Sequence, residues 1–240
     1  MQPNSNELYL KWKAWEENRF AIYNAKDDAT FALEFNKARI SITDESSILE
    51  VGFGNGTLAG WVLHKTRHYV GTELNPNLIK RAIAAGIEAY PATTDLTDVA
   101  AGRKFELVVM FDVLEHMSLE EITQILTSAR HCLTKNGKII FRVPSGDSPF
   151  SGHLMYGDIT HRTALGSYAI RQLAEIADLQ VVSIHSAAYP IFGMGLPIAL
   201  RRATVSLARK LTGIAIKAIY YANENVVISP TLVSVLCARN

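Results

Sequence analysis

In "ILEVGFGNG", Gly52, Gly54 and Gly56 occupy every second position directly behind an apolar run that carries one acid, Glu50. Glycine enters backbone conformations closed to other residues and leaves no side chain in the way, so such a turn brings a ligand against the main chain. A dinucleotide loop would read G-x-G-x-x-G, but Thr57 stands where its third glycine would fall. A phosphate loop would need Gly-Lys-Ser/Thr, which does not follow. The neighbours are acids instead. Glu73 ends the next apolar run about twenty residues on, where a carboxylate accepts both hydroxyls of a ribose. Asp95 lies in "PATTDLTD" and Asp112 in "FDVLEH". A rim of acids suits a cationic ligand better than a pyrophosphate. A nucleoside carrying a sulfonium, S-adenosylmethionine, meets that requirement.

These residues need a frame to hold them together. The pattern predicts a helical N-terminal segment over 8–40, with Leu10, Trp12, Trp15, Phe20, Ile22, Phe31, Leu33 and Phe35 among charges. Strands are predicted at "SILEVG", "HYVGTEL", "IEAYPA", "FELVVMFDV", "KIIFRVP", "LQVVSIHSA" and "TLVSVLCA". Helices are expected over 57–65, from the Asn-Pro start at 75–76 to Gly86, over 119–133 with "TKNG" as a C-cap-like turn, and over 167–177. The central strands are apolar throughout rather than alternating. Alternation of such strands with helices is the mark of a parallel sheet covered on both faces.

Five segments, "LEVGFGNG", "VGTELN", "ATTDL", "FELVVMFDVLEHM" and "LTKNGKIIFRVP", resemble the successive motifs of class I S-adenosylmethionine-dependent methyltransferases. The resemblance covers roughly residues 46–145. It implies an α/β, Rossmann-like fold, a seven-stranded mostly parallel sheet with an antiparallel last strand and helices on both faces. Further on, "YGDITHRTALGSYAIRQLAEIADLQVV" is similar to methyltransferases of bacterial surface-polysaccharide pathways, and its Thr-His to ubiquinone-type O-methyltransferases. By motif position, Gly52, Phe53, Gly54 and Gly56 would pass under the methionine part of the cofactor, with Glu50 at its border. Glu73 would bind the ribose and Leu74 would pack on the adenine. Asp95 would accept from the adenine amino group, beside Leu96, or else cap a helix. Phe111, Asp112 and Val113 would line the floor near the transferred methyl.

Methyl transfer from a sulfonium is an in-line displacement, so the protein must align acceptor, methyl and sulfur and exclude water. A hydroxyl acceptor gains from a base near neutrality. His161, in "GDITHRT", is the preferred base, with Asp158 to orient it; His116, in "VLEHM", is the second candidate. Asp112, Asp147 and Asp158 are too scattered to make a metal centre, and no metal is assigned. The turn after the fourth strand lacks the Asn/Asp-Pro-Pro-aromatic signature of nucleic-acid amine methylation. The expected acceptor is a sugar or glycan intermediate. The alternatives are a quinone precursor or other small aromatic, and a non-catalytic cofactor-fold binding protein.

The 240 residues include 48% apolar and 20% charged side chains with a formal net charge of +1, which describes a globular chain without a basic surface for nucleic acid. Two cysteines without a C-x-x-C pair suit a reducing compartment. The polar N-terminus has no signal-peptide pattern, and a cytoplasmic placement is expected. One domain is read: a helical cap over 1–45, a cofactor half over 46–145 and an acceptor half over 146–240 with a helical insertion near 192–222. No acid occurs from Leu179 to Asn223. Arg201, Arg202, Arg209, Lys210 and Lys217 fall on one half of a helical wheel, opposite Leu200, Ala203, Leu207, Leu211, Ile214 and Ala218. Such a helix, over 198–221, either touches the inner membrane face or packs its apolar side on the core or on a second subunit.

Overall fold

A computed structural model describes residues 13, 20–191, 196–222 and 225–239. Among them, seven strands form one sheet in the order β3-β2-β1-β4-β5-β7-β6. They are β1 (Ile48–Val51), β2 (Tyr69–Glu73), β3 (Glu88–Pro91), β4 (Phe105–Phe111), β5 (Leu133–Pro144), β6 (Leu179–Ser186) and β7 (Thr231–Ala238). β3, β2, β1, β4 and β5 run parallel, and β7 is antiparallel to both β5 and β6. Every strand read from the sequence is present. The helices are α1 (Ala25–Lys37), α2 (Thr57–Leu63), α3 (Pro76–Ala84), α4 (Leu96–Ala100), α5 (Leu119–Cys132), α6 (Gly152–Met155), α7 (Ser167–Ile176) and α8 (Leu196–Tyr220).

Adjacent residues Ile48 and Leu49 are both fully buried, each in a different apolar cluster. One cluster holds Val51, Met110, Leu126 and Phe141, and the other Trp61, Phe35, Val109 and Ile140. Both faces of the sheet are covered, which is why the central strands read as unbroken apolar runs. The chain leaves β1 for β2 on one side and returns as β4 on the other. The carboxyl ends of β1 and β4 therefore form the switch point at which open α/β sheets take their ligands.

Three expectations are corrected. The single N-terminal helix over 8–40 is not continuous: α1 starts at Ala25, and Ala21 has φ +56°. Asn24 caps it, accepting from the Lys26 and Asp27 amides while Asp27 accepts from the Asn24 amide. Leu10, Trp12 and Trp15 lie outside the described residues. "TKNG" is not a C-cap turn, because α5 stops at Cys132 and β5 begins at once. The pairing of β4 with β5 shifts between Phe105 and Leu107, and Gly137 passes so near that an added Cβ would lie 2.8 Å from the Phe105 carbonyl oxygen. The extra residues are taken up as a strand irregularity.

The third correction concerns α8. It has no buried residue, and Leu196, Leu200, Leu207, Leu211 and Ile214 are each at least 57% exposed. Its opposite side meets the body of the protein. Arg202 and Arg209 both stack on the Tyr189 ring, at 4.9 and 4.8 Å, and Arg202 donates to the Pro190 carbonyl at 2.6 Å. The apolar side faces outward and does not pack on the core. Residues 192–195 of the expected insertion lie outside the described residues. No helix among the described residues is long and apolar enough to cross a membrane.

Candidate functional site

All three glycines of the first loop have left-handed backbones, with φ +74° at Gly52, +55° at Gly54 and +69° at Gly56. A side chain on any of them would be strained. Space is closed as well: a Cβ at Gly52 would lie 2.6 Å from Val113 Cγ2, and one at Gly56 2.8 Å from the Phe20 ring. Val113 follows β4, so the loops after β1 and β4 meet at the switch point of the sheet. Glu73 anchors the loop. Its Oε2 accepts from the Gly54 amide at 2.9 Å, and its Oε1 from the Leu74 and Asn75 amides at 2.9 and 3.0 Å. Leu74 beside it is 71% exposed, an apolar surface offered to a ring.

Glu50 lies on β1, buried, and accepts from the Tyr69 hydroxyl at 2.7 Å. Room for that pair comes from Gly71, where an added Cβ would sit 2.9 Å from the Tyr69 oxygen. Burial raises the Glu50 carboxyl to about 7, the Tyr69 hydrogen bond opposes the rise, and the Glu73 charge adds to it. The folded value lies above the ordinary one, so the folded state holds the proton longer than the unfolded chain. This contribution to stability is complete below the ordinary Glu range and is lost as pH rises through about 7. Urea unfolding should show a loss from this group of about 2 kcal/mol between about pH 5 and pH 8. Glu50→Gln, which keeps an acceptor for Tyr69, should flatten the slope by that amount. An unchanged slope would show that Glu50 ionises as it does in water.

Other residues expected at the cofactor have partners within the chain. Asp95 is the N-cap of α4: Oδ1 accepts from the Thr97 amide at 2.8 Å and its hydroxyl at 2.6 Å, and Oδ2 from Ser128 at 2.9 Å. Hydrogen bonding by Thr97 holds its carboxyl below the usual range. Of the two roles open to Asp95, the structure displays the cap. Leu96 is buried in the core behind it, and Phe53 is buried edge-on to Phe20 at 6.1 Å. Phe111 is half-buried under the Arg142 guanidinium at 4.9 Å. Asp112 pairs with Arg142, Nε to Oδ1 at 2.9 Å, and holds φ +57°, an uncommon conformation for a non-glycine residue at a strand end.

The acceptor side is built from two distant segments. After β4 a short 3-10 turn covers Leu114–His116. The Glu115 carbonyl accepts from the Arg162 and Thr163 amides at 2.7 and 3.1 Å, and the Met117 carbonyl from the Thr163 hydroxyl at 2.6 Å. These bonds set "DITHRT" against "LEHM". His116 and His161 meet edge to face with centroids 4.7 Å apart. His161 Nε2 is 3.8 Å from Asp158 Oδ2, so Asp158 orients the ring only loosely. Thr160 joins Asp158 to His116, with contacts of 2.5 and 2.9 Å. Burial lowers the His116 pKa, and His161 lowers it further. Thus the two histidines and Asp158 come together. Glu115, which sequence reasoning passed over, is buried among them, its carboxyl pushed up to about 8 by burial and by Asp112. Asp147 is not part of this group; it accepts from the Ser167 amide at the start of α7.

Residues 49–139 match a family model described as a methyltransferase domain. No curated protein matches the chain. Among solved structures, it resembles a SAM-dependent methyltransferase from Archaeoglobus fulgidus at 12% identity and TM-score 0.61, over 97% of this chain and 99% of that one. It also resembles the N-methyltransferase NodS from Bradyrhizobium japonicum in complex with S-adenosyl-L-homocysteine, at 13% identity and TM-score 0.58, over 99% and 100% of the two chains. A TehB-like SAM-dependent methyltransferase from Corynebacterium glutamicum aligns at 16% identity and TM-score 0.56, over 98% of both. The fold is therefore Rossmann-like, the seven-stranded mixed sheet shared with these structures.

Proposed function

We propose that the chain is an S-adenosylmethionine-dependent methyltransferase that methylates a hydroxyl of a sugar or glycan intermediate. The observation that carries the reading is a pairing at the point where the strand order reverses between β1 and β4. On one side, the left-handed glycine loop is fastened to Glu73; on the other, His116 and His161 are fastened to the turn after β4. The match of residues 49–139 to a methyltransferase domain supports it. Glu73 holds the ribose, Leu74 covers the adenine and Glu50 borders the ammonium end. Val113 and the backbone of Gly52 form the floor, while Phe111 and Asp112 flank it. Bound there, the cofactor supplies an electrophilic methyl on sulfur. The chain's own part is to align the acceptor, exclude water, and activate its hydroxyl through His161, His116 and Asp158.

The test is transfer of a labelled methyl group to two panels, sugars with free hydroxyls and phenolic quinone precursors. Label on an oxygen of the sugar panel is expected. Label confined to the phenols would replace the acceptor with an aromatic one, and cofactor binding without transfer to any acceptor would favour a binding protein.

The outward side of α8 extends this reading. Its exposed leucines are flanked by Arg201, Lys210 and Lys217 in a stretch without acids. Apolar side chains bordered by cations match an anionic bilayer surface, with about 1 kcal/mol for each cation near it. Contact there brings the active site to a lipid-linked acceptor. Anionic vesicles should retain the protein at low salt and release it at high salt, and Arg201→Gln with Lys210→Gln should weaken retention. Equal retention on neutral vesicles, or dimerisation lost on Leu207→Ser with Leu211→Ser, would assign this side to another partner.

A further inference from the structure

Glu115, His116 and His161 each offer a ligand atom, and these atoms all lie within 4.8 Å of one another. We propose that they form a site for one divalent transition-metal ion, which grips the acceptor hydroxyl beside the methyl donor. The inference rests on the methyltransferase reading for the ion's use, but not for its binding.

The first support is two buried atoms without partners. Glu115 is 2% exposed and the His161 side chain 9%. Glu115 Oε2 and His161 Nδ1 have no hydrogen-bond partner among the described residues. Leaving such atoms dry and unpaired is costly, and one cation satisfies both. The second support is a fixed tautomer. Thr160 has one hydroxyl proton, which it donates to Asp158 Oδ1 at 2.5 Å. The same oxygen lies 2.9 Å from His116 Nδ1 and must accept there, so Nδ1 carries the proton and Nε2 presents its lone pair. Outer partners that orient a ligand histidine through its other nitrogen are usual at metal sites, and here Asp158 acts on His116 through the Thr160 hydroxyl. Of the cations near Glu115, Arg142 pairs with Asp112, and Lys13 lies 3.8 Å from Asp158 Oδ2.

Two imidazoles and one carboxylate suit zinc, manganese, iron or cobalt rather than calcium or magnesium. With bonds of about 2.1 Å, the ligand atoms draw in by about 1 Å and leave positions open for acceptor oxygens. Val113, two residues before Glu115, packs on Gly52, so the site adjoins the glycine loop. An acceptor with adjacent oxygens chelates it, and the ion makes one hydroxyl easier to deprotonate. That proton leaves to water, the oxygen forms the new C–O bond, and the C–S bond breaks with its electron pair left on sulfur.

The full chain, stripped with a chelator, is titrated with Co2+ and followed by its visible spectrum, and with Mn2+ followed by electron paramagnetic resonance. One ion per chain is expected. Glu115→Gln and His161→Ala should each weaken binding by at least tenfold, and Asp158→Asn by less. S-adenosylhomocysteine binding, measured on the same samples, reports whether each variant is folded. Equal metal binding by the wild type and a folded His116→Ala, His161→Ala double variant, or none by either, overturns the site. Loss of S-adenosylhomocysteine binding in a metal-binding wild type would overturn the methyltransferase reading instead.

Discussion

His161→Ala should lower kcat by about 10²–10⁴-fold, the range for removing a group that activates a reacting hydroxyl. The affinity for S-adenosylhomocysteine should stay near that of the wild type. His161 belongs to the loop after β5, whereas the glycine loop is held by Glu73 and Val113. The split between turnover and cofactor affinity is what marks a group acting on the acceptor. His116→Ala should show a similar split, because the two rings pack together and share the Thr160–Asp158 support. A kcat loss below about tenfold, with the fold intact, would make His161 a brace for its loop.

Glu73→Ala should show the reverse pattern, a loss of cofactor affinity. Three backbone amides, of Gly54, Leu74 and Asn75, donate to this one carboxylate. A hydrogen bond to a charged group contributes about 1.5–3 kcal/mol, and donors left buried without an acceptor cost more. Allowing for water reaching some of the vacated space, the loss should be about 3–5 kcal/mol, divided between unfolding stability and cofactor binding. Calorimetry should show affinity reduced by at least tenfold even where the variant is folded. Glu73→Gln should fall between the two, since its amide oxygen still accepts at one position. Unchanged affinity in folded Glu73→Ala would remove the ribose assignment.

The sheet was legible because its central strands are buried on both faces and so read as apolar runs. β1 is the clearest instance, its Ile48 and Leu49 feeding opposite clusters. The glycine loop was legible because its backbone geometry admits little else. What escaped depends on contacts between distant segments. Glu115 reads as a turn acid beside a histidine, and bonds from Thr160, Arg162 and Thr163 to the 115–117 turn bring His161 to it. Asp95 fits a cap and a ligand equally in sequence, and only the position of Ser128 on α5 shows that both its oxygens are engaged. The wheel of α8 separated apolar from basic sides correctly, but not which side faces the body. That is decided by Tyr189, which draws Arg202 and Arg209 inward.

The central claim is that the glycine loop and Glu73 hold S-adenosylmethionine. Calorimetric titration of the purified chain with S-adenosylhomocysteine, and in parallel with a nicotinamide dinucleotide, tests it most directly. The account predicts one S-adenosylhomocysteine bound per chain, weakened in Glu73→Ala, and no heat from the dinucleotide. Binding of the dinucleotide, or no binding of S-adenosylhomocysteine, would contradict it.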